Sequence, residues 1–76
     1  MNRMKYIMLD YGPVIFSEGY THAEIAAGRN VSSAGFVSVD QNGKFHAYGD
    51  SFSLGLKSHP RDSKLINKAF NVEDDE

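Results

Sequence analysis

Val31-Ser32-Ser33-Ala34-Gly35-Phe36-Val37-Ser38-Val39-Asp40-Gln41-Asn42-Gly43-Lys44-Phe45-His46-Ala47-Tyr48 is the stretch whose reading decides the fold. Residues 31–39 are β-branched and small, residues 44–48 alternate, and the Asp-Gln-Asn-Gly between them is turn chemistry. Asp and Asn bend a chain through their own side chains, and Gly accepts positive φ without steric cost. The stretch therefore predicts an antiparallel hairpin. Period-two alternation puts Val37 and Val39 on one face with Phe45 and Ala47 across from them, and points Phe36, His46 and Tyr48 to the other face.

Upstream, residues 5–9 and 13–16 are short apolar runs joined by Asp10-Tyr11-Gly12, a connection of hairpin length, with Pro13 marking a strand start or an edge because it has no N–H. Thr21 and Glu24 have the spacing of a capping box and predict a short helix over residues 22–27, closed by Gly28. Downstream, residues 51–56 extend the sheet, with a bend or bulge suggested by Gly49 and Gly55. A last helix is predicted from residue 60 or 61 to 70. Pro60 suits a first turn, Asp62 complements the helix dipole, and Leu65, Ile66, Ala69 and Phe70 form an apolar stripe, with Lys64 and Lys68 on the opposite flank. The expected architecture is α+β: a small antiparallel sheet of four or five strands packed by two short helices in the order β-β-α-β-β-α. Residues 1–72 form the single domain and residues 73–76 an acidic disordered tail.

Composition limits the function. Glu73, Asp74, Asp75 and Glu76 carry −4 of a formal net charge of −2, which leaves residues 1–72 at +2. That is far below the basic footprint of a phosphate-backbone reader, so nucleic acid is not the expected main partner. The absence of cysteine removes disulfides and thiolate ligands and suits a reducing cytosol. Asp10 interrupts the apolar run of residues 6–9 far short of a signal-peptide core or a membrane span, which need roughly 10 and 20 residues. No cofactor is implied.

Three places hold reactive residue types. Gly49-Asp50-Ser51-Phe52-Ser53-Leu54 has a superficial likeness to the nucleophile block of GDS-type lipases and esterases, but nothing in the spacing supplies the base and oxyanion site a nucleophilic Ser51 would need. His22, His46 and His59 are 24 and 13 residues apart, without the spacing of a metal site, so each reads as a local hydrogen-bonding or solvent-facing side chain. Ser58, His59 and Arg61 converge on the start of the last helix, where free N–H groups favour an anion such as a phosphate. Phe36, His46 and Tyr48, if exposed together, make an aromatic interaction patch. Large side chains occur at both parities of the strands, so one sheet face lacks cover from this chain, and a homodimer is expected to bury it.

Pro13-Val14-Ile15-Phe16, Thr21-His22-Ala23-Glu24-Ile25-Ala26, Ser33-Ala34-Gly35-Phe36 and Gly49-Asp50-Ser51-Phe52-Ser53-Leu54-Gly55-Leu56-Lys57-Ser58-His59-Pro60-Arg61-Asp62-Ser63-Lys64-Leu65-Ile66 together resemble small uncharacterised proteins encoded in tailed-phage and prophage genomes. The resemblance implies a phage accessory protein in the cytoplasm of a bacterial host and brings no site residue with it. The functional expectation is a non-enzymatic protein-interaction module acting on a host or phage protein, for example as an inhibitor of a host system. The alternative is a small phosphorylated-ligand or nucleic-acid-binding domain that uses Ser58, His59 and Arg61.

Overall fold

The computed structural model describes residues 3–72. Two antiparallel strands, β1 (Met4–Leu9) and β2 (Gly12–Ser17), are joined at Asp10-Tyr11 with Leu9 paired to Gly12. Helix α1 (His22–Ala26) starts at the expected capping box: Thr21 Oγ1 accepts the Glu24 N–H and the Glu24 carboxylate accepts the Thr21 N–H. It ends with Ala27 in the left-handed region and Gly28 at φ 79°. The deciding hairpin forms as β3 (Ser33–Val39) and β4 (Phe45–Tyr48), with Val39 paired to Phe45. Asp40 Oδ1 accepts the Asn42 and Lys44 N–H groups, and Gly43 takes φ 81°, as this turn requires. The sheet order is β2-β1-β3-β4, every neighbour antiparallel.

Residues 51–56 do not extend this sheet. β5 (Asp50–Ser51) and β6 (Leu56–Lys57) make a separate two-stranded ribbon. Gly49, at φ 75°, turns the chain out of β4, and the Ser58 N–H donates to the Gly49 carbonyl to close the ribbon's base. The crossing runs tightly past β3 at Gly35, where a Cβ would lie 2.5 Å from the Tyr48 carbonyl oxygen. Only glycine fits there.

Helix α2 (Asp62–Ala69) covers one face of the sheet, with Ile66 buried among Tyr6, Met8 and Val37 and bordered by Met4, Ile15, Phe45 and Ala47. The ribbon and α1 cover the other: Ile7, Leu9, Ala34 and Ala26 are buried there beside Val14, Phe16, Ile25, Val31, Leu54 and Leu56. The two parities of large residues thus have two intramolecular covers, which corrects the expectation that one face would be left to a second copy.

The expected stripe on α2 is also corrected. Ile66 is fully buried, but Leu65 and Phe70 are 37% and 48% exposed, and the residues facing the sheet beside Ile66 are the polar Asp62, Ser63 and Asn67. The Phe45 N–H donates to Asn67 Oδ1 (2.8 Å), Asn67 Nδ2 donates to the Phe45 carbonyl (3.0 Å), and the Ala47 N–H donates to Ser63 Oγ (2.8 Å). Those are the backbone groups that β4, an edge strand, turns away from β3. Two side chains one helical turn apart therefore satisfy the edge in place of a fifth strand. Among the described residues no helix is long and apolar enough to cross a membrane.

Candidate functional site

On the α1 side, strand register lines up Phe16, Lys5, Phe36 and Tyr48 across β2, β1, β3 and β4. His22, buried in the first turn of α1, stands edge-on between the Phe16 and Phe36 rings (5.5 and 5.9 Å) and donates from Nε2 to the Gly35 carbonyl at 2.8 Å. Tyr48 stacks on the opposite side of Phe36 at 5.8 Å, and the Arg3 guanidinium lies 4.4 Å from its ring centroid while pairing with Glu18. Phe36 is therefore half-buried within its own chain. His46 and Tyr48 share its side of the sheet and are exposed. His46 Nε2 donates to Asp40 Oδ2 at 2.9 Å; that bond, with the Lys44 and Asn42 N–H groups, holds the Asp40 carboxyl below its ordinary pKa.

The most exposed aromatic on this side is Phe52, whose ring is entirely in solvent at the tip of the β5–β6 ribbon. Its mounting is firm. Ser51 is buried with its hydroxyl accepting the Leu54 N–H, the Gly55 N–H donates to the Ser51 carbonyl, and the Ala23 N–H of α1 donates to Ser53 Oγ. Leu54 and Leu56 anchor the ribbon in the core. The serine of the lipase-like block thus has a turn-capping role, while its neighbour Phe52 carries the exposed surface. Composition gave one usable sign of this: a Phe between two Ser in a turn has no partner to bury against.

At the start of α2 the central group is Asp62, fully buried. Its Oδ2 accepts from the Tyr6 hydroxyl, from Ser33 Oγ at 2.7 Å and from the His59 N–H at 2.9 Å; Oδ1 is buried with no hydrogen-bond partner among the described residues. Burial first, and then the bond and charge of Asp62, push the Tyr6 phenol above its ordinary pKa of 10.0. The cluster clasps the first turn of α2 to β1 and β3. Around it, Ser58 is half-buried close over Gly35, and His59 is exposed with its Nδ1 accepting the Arg61 N–H. Negative charge at the helix start is thus already supplied by Asp62.

Arg61 instead lines a cleft of about 410 Å³ between the outer flank of α2 and the β1–β2 turn. Met8, Pro13, Leu65 and Ala69 make apolar walls, Tyr11 stands 72% exposed at the turn, and Arg61, Lys68 and Asp10 carry the charge. Sequence reading missed Tyr11 and Lys68 because they meet Arg61 only once α2 is laid against the turn. Among the described residues no three His, Asp or Glu side chains converge as a metal site would require. No protein-family model, curated protein or solved structure matches the chain.

Proposed function

We propose that the protein is a non-enzymatic interaction module, a phage-type accessory protein that binds a host or phage protein in a bacterial cytoplasm through the aromatic side chains of its α1 side. The observation that carries this reading is Phe52, a large aromatic held fully in solvent on a braced ribbon whose neighbours Leu54 and Leu56 are anchored in the core. Aromatic side chains presented on a rigid mount lose little entropy on binding and are enriched among the residues that dominate interfaces. Tyr48, supported by Phe36, and His46 extend the surface on the same side of the sheet. The test is capture from lysate of a phage-infected bacterium on immobilised wild-type protein, Phe52→Ser and Arg61→Ala. A partner retained by Arg61→Ala and lost by Phe52→Ser supports the reading; equal retention by all three sinks it.

A second reading, a binding site for a small anion, is favoured by the cleft, where Arg61 and Lys68, outnumbering the single carboxylate of Asp10, flank apolar walls. Titration with inorganic phosphate followed by amide chemical shifts tests it. Shifts centred on Arg61 and Lys68 that vanish in Arg61→Ala would move the functional surface to the α2 side.

A further inference from the structure

The two edges of the sheet are finished differently. Ser63 and Asn67 satisfy the outward backbone of β4, whereas among the described residues no strand lies beyond β2. Nothing in β2 defends that edge by charge. Gly12–Ser17 holds no charged residue; Pro13 removes one N–H from the edge, and α2 packs against the inner face of β2 at Ile15. We propose that β2 pairs with β2 of a second copy across a two-fold axis centred on Ile15, joining two four-stranded sheets into one of eight strands.

The register follows from which backbone groups are free. Pro13 has no N–H to give β1, so its backbone faces outward, and period two turns Ile15 and Ser17 outward as well. Centring the axis on Ile15 pairs Ile15 with its own copy and Ser17 with Pro13 of the copy. Ile15 N–H then donates to the Ile15 carbonyl across the axis, and Ser17 N–H donates to the Pro13 carbonyl, each bond occurring twice. The two symmetry-related places where no bond can form each set a Pro13 nitrogen against a Ser17 carbonyl, and that carbonyl already accepts the Tyr20 N–H of its own chain at 3.2 Å. The missing donor meets the occupied acceptor. Centring instead on Val14 pairs Ile15 with Pro13 and leaves the Ile15 carbonyl facing a nitrogen without hydrogen, so the sequence distinguishes the two registers. No like charges meet across the axis. This edge-matched fit favours a second copy over an unrelated strand, and it stands on backbone chemistry without relying on the aromatic surface. Because the axis runs normal to the sheet, both α1 sides face the same direction, so the dimer would present the Phe52 surface twice.

Amide hydrogen exchange of the wild-type chain at low and high protein concentration, with sedimentation at each, tests the proposal. The expected result is a species of twice 8.4 kDa at high concentration, with exchange at the Ile15 and Ser17 amides slowed about tenfold or more and the Val14 and Phe16 amides, already bonded to β1, unchanged by concentration. A monomer at every concentration with fast exchange at Ile15 and Ser17 overturns it. So does a dimer in which those two amides stay unprotected, since its interface lies elsewhere.

Discussion

On the α2 side of the sheet, cover is fixed by directional bonds: Asp62 to Tyr6, Ser33 and His59, Ser63 to Ala47, Asn67 to Phe45. On the α1 side it rests mainly on apolar contact among Ile7, Leu9, Ala26, Ala34, Leu54 and Leu56 and on ring packing around Phe36, with fewer directional bonds, His22 to Gly35 and Ala23 to Ser53. The contrast matters because α2 buries only Ile66 fully among its apolar residues, too little to orient an eight-residue helix by packing alone. Polar groups that must find partners once buried supply the orientation. The α1 side, where His22 to Gly35 and Ala23 to Ser53 are the tying bonds and apolar contact supplies most of the cover, is where Phe52 and Tyr48 stay in solvent.

The contrast is most easily broken at Asp62. Asp62→Ala leaves two buried hydroxyl donors, at about 1–3 kcal/mol each, and the part-buried His59 N–H without their acceptor, against a total of roughly 4–11 kcal/mol for a chain of this length. The variant is expected to be largely unfolded by circular dichroism at room temperature; a native-like urea midpoint would show that packing, not the clasp, holds α2. Tyr6→Phe removes one of the three donors and is expected to cost about 1–3 kcal/mol in urea unfolding. It also changes the alkaline limb. Since folding raises the Tyr6 pKa, its contribution is complete below the unfolded value of 10.0 and is lost as pH rises through the folded value. Wild type should therefore lose stability in strong alkali in a way that Tyr6→Phe does not.

Asn67→Ala exposes both backbone groups of Phe45 at the β4 edge and is expected to cost about 1 kcal/mol, with faster exchange at the Phe45 amide. On the α1 side, acid sharpens the comparison. Folding lowers the Asp40 pKa, so the contribution of Asp40 is present above the unfolded carboxylate value and fades as pH falls through the folded one. Asp40→Asn should flatten the acid limb slightly and leave the alkaline limb alone, as a pH series of thermal melts would show.

Much of the hairpin architecture was legible because strand period and turn chemistry are local: the Asp40–Gly43 turn, the Thr21–Glu24 capping box and the common side of Phe36, His46 and Tyr48 all follow from neighbours in sequence. The face of α2 was not legible, because an apolar-stripe rule ranks Leu65 and Phe70 above Ser63 and Asn67, and only the position of β4 shows why the polar pair turns inward. The ribbon was missed for a related reason. Gly49 and Gly55 signal a departure from the sheet but do not say to which face the chain goes. Of the expected sites, the aromatic group came together with Phe36 largely enclosed, while Arg61, bonded through its N–H to His59, also lines a cleft with Tyr11 and Lys68, which are distant in sequence.

The central claim is that the α1 side carries function while the α2 side carries stability, and Phe52→Ser measured for both properties tests it most directly. Because Phe52 buries nothing, its melting temperature should stay within about 2 °C of wild type while partner capture is lost. A fall of about 10 °C or more with capture intact would contradict the claim and make Phe52 a structural residue.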